Sequence, residues 1–365
     1  MIQTLRVLEN QQKQLDYLRF FKRREMLHIG VRDLLRLCSV EETLSALSVL
    51  AEALISAAYW ICASSLRREC EVPRDAFTEF TILAMGKLGG GELNFSSDVD
   101  LIFLYSSQLD QAGTVEVSDY FRRLCQKITG ALNDFTAEGY VYRVDLRLRP
   151  EGQGSKIAYS FEEYKRYYQS RLRTWERLAL LKAWPVAGNR SLGHAFLRMA
   201  NEFVFGLPFD GKALEAVRDM KGQIDQKMLS RDQQERNVKL GTGGIREIEL
   251  ITQSLQIRFG ARLPEVQGRN TLNALRALSA QSIITVDESG ILTKAYLFLR
   301  DVENKLQMVN DAQTHSLPET HKELTACARL LGYPAAEPFL RDYQDHTGHV
   351  SRLFGQLHLL LSRQQ

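Results

Sequence analysis

Two aspartates two residues apart, Asp98 and Asp100, follow a glycine-rich stretch in FTILAMGKLGGGELNFSSDVDLIFLY, which runs from Phe80 to Tyr105. Ile82 to Met85 form a short apolar run that stops at Gly86, the pattern of a buried strand entering a turn. Leu101 to Tyr105 form a second run, with the two acids at its entrance. Side chains two apart on a strand share a face, so both carboxylates point one way. Adjacent carboxylates repel unless a cation lies between them, and a hard divalent ion, Mg2+ above all, suits oxygen ligands. Glycines ahead of the acids let backbone N–H groups approach a phosphate. Gly86, Lys87 and Ser97 are the anion-contact candidates of this stretch. Metal-binding acids beside an anion-binding turn outline a nucleotidyl-transfer site.

A third acid lies in VYRVDLRLRP, from Val141 to Pro150, which reads as an alternating strand. Tyr142, Val144, Leu146 and Leu148 take its apolar face, while Arg143, Asp145, Arg147 and Arg149 take the other. An acid among three guanidiniums suits phosphate and metal together. By itself the pattern fits a solvated strand face with salt bridges equally well. Beside Asp98 and Asp100 it reads as the site's third carboxylate, with Arg147 and Arg149 available to phosphate.

The elements that position these residues follow from periodicity. Residues 1 to about 68 read as helical, with Leu44, Leu47, Ala51, Leu54, Ala58 and Ile61 recurring at three- and four-residue steps. Lys22, Arg23 and Arg24 form a basic cluster there, either a solvated helix face or a contact for an acidic partner. Glu71 to Thr78, with Pro73, reads as a linker. Glu116 to Ala137 reads as a helix whose apolar side carries Phe121, Leu124, Ile128, Ala131, Leu132 and Phe135. Phe161, Tyr164, Tyr167 and Tyr168 have the helical spacing of core aromatics. From Ser191 onward no strand is evident, and Leu292, Ala295, Leu299, Val302, Leu306 and Val309 make an a/d seam. The expected class is therefore α+β, with a helical segment over 1–75, a catalytic domain over 76–190 and an all-helical bundle over 191–365.

One stretch of the helical region stands apart. In NVKLGTGGIREIELITQ, a turn with Gly241, Gly243 and Gly244 opens a helix beginning with Arg246, Glu247 and Glu249. Acids in a first turn meet the helix dipole favourably, so capping explains both glutamates, while such a loop can also hold phosphate. Neither a P-loop nor GxGxxG fits it.

Composition narrows the classes. At 365 residues with a net charge of +3, the chain gives no electrostatic footprint for nucleic acid or an anionic membrane. No apolar run approaching 18–20 residues is evident, and the polar start lacks a signal-peptide core. Five scattered cysteines without a CxxC point to reduced thiols in a cytoplasmic protein. His346 and His349, three apart, read as surface histidines rather than metal ligands.

GKLGGGELNFSSDVDLIF, YRVDLRLRP, TWERLALLKA and KLGTGGIREIEL together resemble the N-terminal half of the bifunctional glutamine synthetase adenylyltransferase/adenylyl-removing enzyme family. The motifs are long, stand in the family's order and span nearly the whole chain. The resemblance implies the nucleotidyltransferase fold shared with polymerase β, with Asp98, Asp100 and Asp145 as catalytic Mg2+ ligands. It implies that Trp175, Glu176, Arg177 and Lys182 lie near the site and that Arg246, Glu247 and Glu249 face its cleft. It further implies a chain shortened at its start and lacking the family's second half.

LNFSSDVD, YRVDLRLRPEG and GGIREIE look more like the removing half than the adding half. The expected reaction is phosphorolysis of adenylyl-tyrosine on glutamine synthetase, giving ADP, with the PII signal protein as regulator. An adenylyltransferase using ATP is the alternative, since the chemistry is reversible. A non-catalytic module binding glutamine synthetase or PII would not need three intact acids.

Overall fold

Every residue of β1 (Phe80–Ala84) is buried, so its sheet must be covered on both faces. β1 pairs antiparallel with β2 (Val99–Tyr105), Phe80 opposite Tyr105 and Ala84 opposite Leu101. On its other side β1 pairs antiparallel with β5 (Trp184–Gly188), an edge strand that tolerates Pro185. Two short strands lie parallel to β2, β3 (Val144–Asp145) at its start and β4 (Ala158–Ser160) at its end. This small mixed sheet among many helices is an α+β architecture, in a computed structural model that describes residues 1–8, 10–69, 79–106, 115–152, 154–227, 231–309 and 313–363. The linker expected at Glu71 to Thr78 lies outside the described residues.

Three helices precede the sheet: α1 (Ile2–Val7), α2 (Gln11–Leu34) and α3 (Val40–Glu69). α4 (Gly86–Gly89) is a single turn after β1, and α5 (Val115–Asn133) follows β2. α6 (Phe161–Arg171) and α7 (Thr174–Leu180) separate β4 from β5. Beyond β5 come α8 (Arg190–Gly206), α9 (Gly211–Lys227), α10 (Arg231–Arg236), α11 (Ile245–Gly260) and α12 (Thr271–Ala280). α13 (Val286–Met308), α14 (His321–Leu330), α15 (Ala336–Gly355) and α16 (Leu357–Ser362) complete the order.

Strand alternation sorts the sheet's side chains into two cores. Phe80, Ile82, Ala84, Leu101, Phe103 and Tyr105 pack with Leu47, Leu54, Ala58 and Ile61 of α3 and Phe121, Leu124 and Ile128 of α5. Leu83, Met85, Ile102 and Leu104 enter a second core with Tyr164, Tyr168, Phe196, Ile248 and Leu255. That core continues through α13, whose Leu292, Ala295, Leu299, Val302 and Leu306 are buried as the seam predicts. Val309 ends outside the helix and is exposed. Lys22 lies over the rings of Tyr140 and Tyr142 and Arg23 pairs with Glu138, so the basic cluster pins α2 to the sheet region.

Several expectations are corrected. Val141 to Pro150 is not a continuous strand: only Val144 and Asp145 pair, because β2 offers them two residues before β4 takes over its edge. α5 stops at Asn133, which leaves Phe135 exposed rather than on the apolar side. α3 is long and apolar enough to cross a membrane by composition, contrary to the expected lack of such a run. Fifteen of its residues are buried, and its apolar character serves the core under the sheet.

Candidate active site

Parallel pairing of β2 with β3 sets Asp100 opposite Asp145, on the face that carries Ile102 and Leu104. Asp98 stands one residue before β2. Two of the three carboxylates are held by arginines. Arg143 Nε donates to Asp98 Oδ1 at 2.7 Å, and Arg147 forks onto Asp145 at 2.8 and 2.5 Å. Burial would raise the Asp145 carboxyl, but Arg147 hydrogen bonds hold it below the usual value. The Asp100 side chain has no hydrogen bond or ion pair among the described residues, while its backbone carbonyl accepts from the Met85 N–H at 2.8 Å. Burial, then the like charges of Asp145 and Asp98, push its carboxyl up to about 6.

Among the described residues no three His, Cys, Asp or Glu side chains form a ready metal cage, with Asp98 and Asp145 turned onto their arginines. The donor set nonetheless fits a hard divalent cation. It offers three carboxylates, one of them raised by burial and by the repulsion of the other two, which a dication would relieve.

The turn ahead of the acids is shaped around Asp100. Gly86 has φ +54°, which favours glycine, and a Cβ there would have to displace Asp100 Oδ2. Lys87 lines the same cleft, but its Nζ donates to Glu303 at 2.7 Å and Asn94 at 3.0 Å. Burial pulls its ammonium down to about 7 against the attraction of Glu303. Ser97 is half-buried between this turn and Asp98.

α13 clamps the turn from the other side. Gln307 Oε1 accepts from Asn94 Nδ2 at 2.6 Å and from the Ser96 backbone N–H at 2.8 Å. Arg300 donates to the Glu92 carbonyl, and Lys305 joins Asp33 to Asp301. These polar α13 side chains are buried because their partners come from α2, 272 residues earlier, and from the 86–96 turn, 208 to 213 residues earlier.

Asp100, but not Asp98 or Asp145, lines a cleft of about 870 Å³ between the sheet end and α7, α9 and α11. The cleft gathers Gly86, Lys87, Asp100, Trp175, Lys182, Arg246 and Glu249 from the residues singled out in the sequence. Lys182 is buried and joins Glu92 at 2.6 Å to Glu249 at 3.1 Å. Burial alone would raise the Glu249 carboxyl, but Lys182 and Arg246 bring it down to about 2.

Other predicted residues have different occupations. Glu247 pairs with Lys221 at 3.2 Å, tying α11 to α9, and burial raises its carboxyl. Glu176 caps α7, accepting from the Arg173 backbone N–H and the Tyr167 hydroxyl at 2.8 Å each. Arg177 donates to the carbonyls of Val204, Leu207 and Pro208 and closes the end of α8. Arg149 donates to the carbonyls of Leu146, Ser155 and Lys156, bracing the loop after β3.

Sequence reasoning missed Lys239, which lines the cleft and whose ammonium has no ion-pair or hydrogen-bond partner among the described residues. Its positive charge partly offsets the repulsion at Asp100. The signal was present, since Lys239 stands just ahead of the glycine turn in KLGTGG.

Residues 1–199 match the family model of glutamate-ammonia ligase adenylyltransferase. The chain belongs to that family. It is a family of nucleotidyltransferase enzymes, and the nucleotidyl-transfer outline read from the acids agrees with it. Residues 217–358 match a second model, GlnD PII-uridylyltransferase. The chain is 41% identical over 346 residues to the bifunctional glutamine synthetase adenylyltransferase/adenylyl-removing enzyme of Thioalkalivibrio sulfidiphilus, 93% of this chain and 36% of that protein. It is 40% identical over 331 residues to the enzyme of the same description from Xanthomonas campestris pv. campestris, 89% of this chain and 35% of that protein. The chain thus spans about a third of the length of these relatives.

Proposed function

We propose that this chain removes AMP from an adenylylated tyrosine of glutamine synthetase by phosphorolysis, releasing ADP. The observation that carries the reading is the Asp98, Asp100 and Asp145 group, of which Asp100 lines the cleft, its carboxyl unpaired among the described residues and raised to about 6. LNFSSDVD and GGIREIE, closer to the removing than to the adding half, support the direction. The reading also takes the sheet region over 76–190 as a polymerase-β-like domain, flanked by helical parts over 1–75 and 191–365. The gap between the two matched stretches, from 199 to 217, lies close to the second boundary.

In the reaction, a phosphate oxygen attacks the α-phosphorus in line with the tyrosyl oxygen. The new P–O bond makes ADP, and the phenolate leaves with the bonding electrons. Asp98, Asp100 and Asp145 would hold Mg2+, which when bound supplies charge neutralisation at the α-phosphate and leaving oxygen. Arg143 and Arg147 keep Asp98 and Asp145 oriented. Lys239 lines the cleft near Asp100 with an ammonium unpaired among the described residues and available to the incoming phosphate, while Arg147 is exposed beside Asp145. Such chemistry rests on positioning and electrostatics rather than on a strong base. The match of the helical half to a PII-uridylyltransferase model supports PII as a regulatory partner.

The test is nucleotide release from adenylylated glutamine synthetase with Mg2+, with and without phosphate. Phosphate-dependent ADP release is the expected result. Formation of AMP-tyrosine from ATP and unmodified glutamine synthetase, without ADP release, would replace the proposal by the adding reaction.

A further inference from the structure

A second, smaller pocket of about 330 Å³ lies where the loop after β3, the end of α6 and the segment before α7 converge. Guanidiniums dominate its lining: Arg147 and Arg149 from the loop, Arg171 from α6 and Arg173 just ahead of α7. Glu151 is the one acid among the lining residues. It pairs with Arg171 at 2.6 Å, but both side chains are more than half exposed, so the pair is weak and another carboxylate can replace it. Arg149 is held by three backbone carbonyls, which fix its guanidinium and leave its charge uncancelled. Arg173 is exposed and has no ion pair among the described residues. Arg147 is matched by Asp145. The pocket therefore concentrates positive charge on a chain whose net charge is only +3.

Arg173 and Trp175 line both this pocket and the catalytic cleft, so the two adjoin. Neither Asp100 nor Lys239 lines the smaller pocket, so its charge lies to one side of the reacting phosphate. Tyr167 and Trp175 give it aromatic walls, Tyr167 being fixed through its hydroxyl to Glu176. Such rings take the methylenes of an acidic side chain while a guanidinium fork grips its carboxylate.

We propose that this pocket docks an acidic segment of the protein substrate, whose glutamates or aspartates flank the modified tyrosine and pair with Arg149, Arg171 and Arg173. A tyrosine that reaches Asp100 carries its polypeptide over the rim of the cleft, and the shared Arg173 and Trp175 put this pocket on that rim. The inference rests on the reading of the cleft as acting on an adenylylated tyrosine.

The test is fluorescence-anisotropy titration of the full chain with two short dye-labelled peptides carrying a central adenylyl-tyrosine, flanked in one by glutamates and in the other by glutamines. The parent is expected to bind the glutamate peptide about fivefold more tightly at low salt, with the preference shrinking as salt rises. Arg171→Gln combined with Arg173→Gln should bring the two affinities within twofold of each other. Both side chains are exposed, so the double variant should melt close to the parent. Equal affinities in the parent, or a preference that survives in the double variant, overturn the docking pocket. So does a double variant that keeps the preference and instead needs more inorganic phosphate for ADP release, which would make the pocket a phosphate site. ADP release from adenylylated glutamine synthetase, measured in parallel, separates the two readings. Release without peptide preference overturns the pocket alone, and preference without release overturns the reaction alone.

Discussion

Replacing Lys182 by Met tests whether the buried charges behind the cleft are held as the structure says. Lys182 is 6% exposed on its side chain, Glu92 1% and Glu249 9%, and one ammonium bridges both carboxylates. Its Nζ also donates to Thr271 Oγ1, while Glu92 accepts from the Thr271 backbone N–H. Methionine keeps the length of the side chain and removes the charge, leaving Glu92 without this ion pair and Glu249 with Arg246 at 3.4 Å. Breaking a buried pair by removing one partner costs about 3–5 kcal/mol. A typical domain has only about 5–15 kcal/mol in total.

Urea unfolding at pH 7 should therefore show a much lower midpoint with little change in slope. The pH dependence supplies a second signature. Glu249 titrates at about 2 in the folded protein and near 4.5 otherwise, so the unfolded state binds more protons between those values. The parent should gain stability as pH rises through that window, and Lys182→Met should lose the gain. Adding Glu249→Gln to Lys182→Met should recover part of the loss, since the two residues are coupled. A loss below about 1 kcal/mol in the single variant, with the acid-range slope unchanged, would refute the buried-bridge reasoning.

Asp98→Asn should cut phosphate-dependent ADP release at least about 100-fold while stability changes by no more than about 1 kcal/mol, because the Arg143 pair it breaks is partly exposed. Full activity in that variant would remove Asp98 from the metal set. The Asp100 carboxyl titrates at about 6 when folded against 3.8 in the unfolded chain. Its contribution to stability is thus present below pH 3.8 and lost as pH rises through 6. Asp100→Asn should exceed the parent in stability above pH 6, on the order of 3 kcal/mol, with the gap closing toward pH 4. Thermal melts across that range in metal-free buffer check the sign. Gln307→Leu leaves the Ser96 N–H and the Asn94 amide without their acceptor, at a cost of about 1–3 kcal/mol. Faster amide exchange at Ser96 than in the parent is the expected readout, and unchanged exchange would deny the clamp.

Much of the site was legible locally. The apolar runs around Gly86 and after Asp100 specify two buried strands, and two-residue spacing with a glycine turn needs no tertiary information to suggest metal and phosphate. The short strands β4 and β5 were not legible, since three residues of AYS and a proline-bearing WPVAG pair only because β2 and β1 offer them edges. Glu176 and Arg177 looked like site residues by their motif, yet their side chains cap α7 and close α8. A charge's type can be read from the chain, but not which backbone groups it will meet.

The sequence by itself determined the three acids, the glycine turn, the seam of α13 and the α+β class, because each follows from spacing over a few residues. Only the tertiary structure decided which charges are buried. Arg300, Glu303 and Lys305 have the composition of a solvated helix face, yet all three are fully buried against α2 and the 86–96 turn. The cleft's cations were sorted the same way: Lys87 and Lys182 are committed to carboxylates, while Lys239 is left facing Asp100. Burial and pairing depend on partners brought from distant parts of the chain, and desolvation, not residue type, then sets what each charge can do.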